Sequence, residues 1–120
     1  MVLRCLPGRW SNSEGMMQPQ FVYITASSKD EARSIGRTLV ESRLAACVNI
    51  VESITSFYWW NGEIQEDNEA AIIAKTKESL VQELIETVKA MHSYSCPCIV
   101  CLPIVAGNPP FLAWVEEETK

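Results

Sequence analysis

The apolar positions along the chain fall into four extended runs and two helical stripes. Phe21-Val-Tyr-Ile-Thr25 is β-branched and aromatic and is followed by turn formers, so it predicts a first strand. Ser28-Lys-Asp-Glu31 fits a capping box, in which the serine hydroxyl and a glutamate three residues on satisfy each other's backbone donors. Ala32, Ile35, Gly36, Leu39, Val40 and Leu44 follow at helical spacing and predict one buried helix face. Ala45-Ala46 suits a helix but leads straight into Cys47-Val-Asn-Ile-Val51, so the helix end is unmarked. From Cys47 to Trp60 there is neither a helical period nor a breaker, which predicts a strand. Asn61-Gly62 then signals a hairpin, because both central positions of the favoured turn need positive φ. The return strand, Glu63 to Thr76, is polar near the turn and apolar far from it. A register set by the turn alone would pair Trp60 with Glu63 and Val48 with Lys75. Arms this long exceed the usual strand of about 5–6 residues, which predicts a bulge along them.

A second helix is expected from Glu78 to His92, with Val81, Leu84, Ile85, Val88 and Met91 as its stripe. Cys98-Ile-Val-Cys-Leu-Pro-Ile-Val105 reads as a last core strand, with Pro103 where no ladder donor is needed. Gly107-Asn-Pro-Pro110 is a turn, and Phe111-Leu-Ala-Trp-Val115 begins a short C-terminal helix. The order β-α-β-β-α-β, with right-handed crossovers around a hairpin, predicts an α+β fold: a ferredoxin-like sandwich with a long central β-hairpin. Its sheet would carry both helices on one face and leave large apolar residues on the other, and a second copy of the chain is the simplest cover. Residues 1–18 hold Pro7-Gly8, Ser11-Asn-Ser13, Gly15 and no apolar period. They are expected to be a disordered tail before a single domain at 19–120.

A chain of 120 residues accommodates one domain, and 48% hydrophobic residues suffice for its core. Ten basic against fifteen acidic residues give a net charge of −5, which argues against nucleic-acid binding. No apolar run approaches the roughly 20 residues of a membrane span. The stretch from Met1 to Pro7 carries one charge and about five apolar residues, fewer than the apolar core of a secretory signal, about 7–15 residues. The expectation is a soluble cytoplasmic protein whose five cysteines are free thiols.

Leu44-Ala-Ala-Cys-Val-Asn49, Thr55-Ser-Phe-Tyr-Trp-Trp-Asn-Gly-Glu-Ile64, Ala74-Lys-Thr76, Leu102-Pro103, Ala106-Gly-Asn108 and Leu112-Ala-Trp114 occur in this order. Together they resemble CutA, the divalent-cation tolerance protein family, across residues 21–117. The resemblance implies a ferredoxin-like fold, a tight homotrimer, a cytoplasmic home in bacteria, and a link to copper and other divalent metals. Animal relatives are linked to acetylcholinesterase anchoring. The chain departs from the family at several places. The usual His-Pro-Tyr-Glu is His92-Ser-Tyr-Ser95 here, a later glutamate is Cys98, and the Lys after the hairpin glycine is Glu63. The copper site credited to some bacterial members uses a first-strand cysteine and two adjacent histidines. Those positions correspond here to Ile24, Met91 and His92, so one donor of the three is kept.

The densest chemistry is Cys96-Pro-Cys98-Ile-Val-Cys101. Thiolates are soft ligands suited to Cu(I) or Zn(II). Strand alternation puts Cys96 and Cys98 on one face and Cys101 on the other, where it is expected as a small core hydrophobe. His92, the one histidine, ends the second helix, where the macrodipole favours a partly cationic ring. In a ferredoxin-like sheet the last strand lies antiparallel to the first, which brings Cys96 and Cys98 near Ile24 and Thr25. The metal-site expectation is therefore His92 with Cys96, joined by Cys98, taking copper. The competing expectation is that all three only pack or cap.

Cys47 is expected to be buried and inert. The Tyr58-Trp59-Trp60 run alternates faces and suits an interface. Glu63, Glu66, Asp67 and Glu69 read as the solvated edge of a hairpin arm and lack calcium-loop spacing. No nucleophile with its base and no phosphate loop is visible, so no enzymatic reaction is expected. Three functions remain: metal tolerance through copper or other divalent ions, a PII-like trimeric small-molecule sensor, and a trimeric protein-docking scaffold. The family resemblance favours the first. The second rests on fold analogy and would need a basic or Gly-rich loop that the chain lacks.

Overall fold

The computed structural model describes residues 18–120. Its elements are β1 (Pro19–Ala26), α1 (Lys29–Glu41), β2 (Cys47–Trp60), β3 (Glu63–Lys77), a 3-10 turn (Glu78–Leu80), α2 (Val81–Met91), β4 (Ile99–Pro103) and α3 (Pro109–Glu118). The expected tail lies outside the described residues except for Gln18, whose side-chain amide donates to the Ile104 carbonyl at 2.8 Å.

α1 starts on Ser28, whose hydroxyl accepts from the Glu31 N–H at 3.2 Å. The helix stops without a glycine. Arg43 takes a left-handed φ of 61°, and the Leu44 N–H reaches back to the Leu39 carbonyl at 2.9 Å. This closure satisfies the last carbonyls as a Schellman turn does. Ala45 and Ala46 thus fall outside the helix, and the Ala46 N–H already donates to the Lys75 carbonyl at 2.9 Å.

The four strands order as β2-β3-β1-β4, every neighbour antiparallel, which is the ferredoxin-like sheet. Alternation sends Val22, Ile24 and Ala26 of β1 and Ala70, Ile72 and Ala74 of β3 to the helix side. There they pack with Ile35 and Leu39 of α1 and Leu84 and Val88 of α2. Gly36 lets α1 lie close on β2: a Cβ there would stand 3.0 Å from Val48 Cγ2 and 3.1 Å from Ile50 Cδ1. Val40 and Met91, read as parts of the helical stripes, are exposed.

Asn61 and Gly62 make the hairpin turn at φ 52° and 77°, and Trp60 pairs with Glu63. Between Val51 and Ile54 the register shifts, with Glu52 and Ser53 opposite Ala70 alone. This bulge moves Val48 from Lys75 onto Ala74. β4 spans Ile99–Pro103, shorter than the run Cys98–Val105 suggested, and Pro103 ends it on the sheet edge.

α3 lies against β1 and β3 at the Pro19 and Lys77 end, where the Lys77 ammonium donates to the Glu116 and Thr119 carbonyls, both at 3.4 Å. The rest of the face away from α1 and α2 is open: Val51, Val100 and Leu102 are 40%, 49% and 58% exposed. Phe57, Trp59, Trp60 and Ile64 are also exposed toward the hairpin tip. Among the described residues no helix is long and apolar enough to cross a membrane.

Candidate functional site

Three segments converge on the open face. β1 contributes Thr25, next to its last residue, and the α2–β4 loop contributes Tyr94, Ser95, Cys96 and Cys98. The hairpin contributes Ser56, Tyr58 and Trp60 from β2 and Asp67 and Glu69 from β3. Together they enclose a cleft of about 540 Å³. The hairpin's share follows from its register, which pairs Ser56 with Asp67 and Ile54 with Glu69, so that residues two apart project to the same side.

The loop is held by His92 and Glu31. The His92 side chain is fully buried. Its Nε2 lies 2.8 Å from the Thr25 carbonyl, and its Nδ1 accepts the Tyr94 N–H at 3.1 Å. That pattern assigns the ring proton to Nε2. The Glu31 carboxylate accepts from Ser27 N–H at 3.0 Å, Ser93 N–H at 2.9 Å and the Ser93 hydroxyl at 3.0 Å. Glu31, in the first turn of α1, therefore also clamps the loop before β4. Burial works to raise the Glu31 pKa, but the hydrogen bonds from Ser27 and Ser93 outweigh it and hold the carboxyl at about 2.

Two tyrosines hold the carboxylates of the cleft. The Tyr94 hydroxyl donates to Glu69 Oε2 at 2.7 Å, and the Tyr58 hydroxyl donates to the Asp67 carboxylate. Desolvation first, then the bond to Glu69, pushes the Tyr94 phenol up. The bond to Asp67 pushes the Tyr58 phenol up. Glu63, Glu66 and Asp67 are exposed, as a solvated edge should be. Glu69 departs from that reading: it is only 9% exposed, because it lies at the base of the arm, beside the loop that carries Tyr94.

Cys96 and Cys98 are free, exposed, and both line the cleft. The Cys98 carbonyl accepts the Thr25 N–H at 3.3 Å, which sets this loop beside the end of β1, as the topology required. Cys101 packs against the helix-side core, where burial pushes its thiol up. Cys47 is buried, and desolvation raises its thiol pKa against the opposing pull of Lys75. His92 stands behind the cleft wall with both ring nitrogens engaged, so ligation through Nδ1 requires giving up the bond from Tyr94 N–H. Ile24, at the family's cysteine position, is wholly buried in the core. Among the described residues no group of three or more His, Cys, Asp or Glu is placed to hold a metal ion.

The fold and cleft define a class: a small ferredoxin-like α+β protein with an extended hairpin and a pocket on the open face of its sheet. The CutA1 divalent ion tolerance protein family matches residues 20–118, and the chain belongs to that family. The divalent-cation tolerance protein CutA of Archaeoglobus fulgidus is 50% identical over 83% of this chain and 97% of its own. The solved divalent cation tolerance protein (Cut A1) from Thermus thermophilus superposes with a TM-score of 0.83 at 48% identity, covering 85% of this chain and 99% of that one. CutA1 from Oryza sativa gives a TM-score of 0.84 at 41% identity, covering 87% and 95%.

Proposed function

We propose that the protein serves divalent-cation tolerance as a non-catalytic homotrimer that takes up copper through Cys96 and Cys98. The observation that carries this reading is the family match over residues 20–118. The donor chemistry supports the metal. Two exposed thiols on one wall of a cleft suit Cu(I), and other cations of borderline softness would compete for them. His92 becomes a third donor only if its Nδ1 releases the Tyr94 N–H. A reducing cytoplasm would keep both thiols free for metal.

The exposed apolar residues support the trimer. Val51, Val100 and Leu102 on the sheet, with Phe57, Trp59 and Ile64 on the hairpin, are unusual for a lone soluble chain. A head-to-tail contact, each hairpin on the next sheet, closes a ring without leaving an edge. The test is equilibrium dialysis of copper under reducing conditions. Replacing Cys96 and Cys98 by serine is expected to abolish the high-affinity uptake with the assembly unchanged. Unchanged uptake by that variant overturns the assignment. The cleft itself favours a second reading, the trimeric small-molecule sensor, since its volume lies within the roughly 300–1,000 Å³ of small-molecule sites.

A further inference from the structure

We infer that Glu31 is a positioning residue for the copper thiols: from the first turn of α1 it fixes the loop that carries Cys96 and Cys98 before any metal arrives. This rests on the copper reading above and deepens it, since Glu31 acts on the thiols through the loop backbone. One carboxylate oxygen, Oε1, accepts from the Ser27 N–H and the Ser27 hydroxyl, both at 3.0 Å, and so serves the start of the helix. A glutamate that helps to start a helix needs only one acceptor oxygen for that task. The second oxygen, Oε2, accepts the Ser93 N–H at 2.9 Å, and the Ser93 hydroxyl adds a 3.0 Å bond to Oε1. The same side chain thus starts α1 and holds a loop 62 residues away in sequence.

The loop is tied again on either side of the thiols. The Tyr94 N–H goes to Nδ1 of the buried His92 at 3.1 Å, and the Cys98 carbonyl accepts the Thr25 N–H at 3.3 Å. Cys96 therefore sits on a short span whose two ends are fixed to the rest of the fold. Pro97 stiffens that span, because its ring sets its own φ and steers the residue before it toward extended backbone. Thiols already held in place give up less freedom when they close on a metal, and groups that hold a ligand from behind are worth about 10–100-fold in metal affinity. Should His92 Nδ1 turn to the metal, the Tyr94 N–H is released, and the bonds from Ser93 to Glu31 still hold this end of the loop. Glu31 belongs to α1, on the covered side of the sheet, so a neighbouring hairpin laid on the open face leaves its bonds in place.

The test measures Cu(I) affinity of the reduced full chain by competition with a chromophoric Cu(I) chelator, together with amide hydrogen exchange of the metal-free chain and native mass spectrometry of its assembly. Glu31→Ala is expected to hold Cu(I) about tenfold more weakly, to keep the parent's assembly, and to exchange the Ser93 and Tyr94 amides faster. Ser93→Ala leaves the helix start whole and removes only the hydroxyl's bonds. It is expected to weaken Cu(I) by about threefold, and it keeps the test decisive where Glu31→Ala fails to assemble. Gly36→Val is the control for lost stability alone, and is expected to melt lower yet bind Cu(I) as the parent does. The inference is overturned if the Glu31 and Ser93 variants bind Cu(I) as tightly as a copper-binding parent, or if Gly36→Val weakens binding as much as Glu31→Ala. A parent that binds no Cu(I) overturns the copper reading itself, and this inference with it.

Discussion

Tyr94 and Glu69 are joined by a 2.7 Å hydrogen bond that ties the α2–β4 loop to β3 across twenty-five residues of sequence. One partner is nearly buried and charged by nature, so the bond matters more than an exposed one would. Tyr94→Phe keeps the ring and removes the donor. It is expected to destabilise the fold by about 1–3 kcal/mol, read as a lower melting temperature. A variant that melts with the parent would show that Glu69 finds another partner.

Glu31 makes the stability of the loop corner depend on acid. Its carboxyl is lowered from 4.5 to about 2 in the folded chain by the donors of Ser27 and Ser93, against the raising effect of burial. A depressed carboxylate contributes stability above its unfolded pKa and loses it as pH falls through the folded one. The contribution is thus full above 4.5 and drains away between 4.5 and about 2. Glu31→Gln is expected to unfold more easily at about pH 7 by on the order of 2 kcal/mol, after allowance for screening at a partly wet site, and to match the parent near pH 2. Denaturant titrations at neutral and acid pH measure the difference. An equal gap at both would contradict the account.

Gly36 sets the distance between α1 and β2. Gly36→Val places a branched side chain where even a Cβ stands 3.0 Å from Val48 and 3.1 Å from Ile50. Overpacking of this kind costs about 1–3 kcal/mol. Gly36→Ala is the control. Its helix gain of about 1 kcal/mol opposes the same tight contact, and the net change is expected to be small. Thermal melts of the two variants should therefore separate, with only the valine form clearly lowered.

The fold was largely legible because its devices are local. Ser28 to Glu31 announced α1 and Asn61-Gly62 announced the turn, whereas Cys96 and Cys98 lie in the loop before β4, so strand alternation does not govern their direction. The end of α1 was not legible, because Arg43 occupies the left-handed position where a glycine would have marked it. The place of the bulge was hidden as well. Glu52-Ser53 carries no signature, and the extra residue is fixed by how β2 and β3 pack. The candidate site was legible in pieces. The shared side of Asp67 and Glu69 is a matter of spacing, but the burial of Glu69 depends on Tyr94 arriving from another element. The same holds for His92. Its place at the end of α2 was readable, whereas its bonds to Thr25 and Tyr94 exist only once β1 and the loop meet.

Native mass spectrometry of the full chain, with and without copper under reducing conditions, tests the central claim most directly because it reports subunit count and bound metal together. The account predicts assemblies of three chains that retain copper, and three chains without retained copper once Cys96 and Cys98 are serine. Single chains, or three-chain assemblies of the parent that hold no copper, would contradict it.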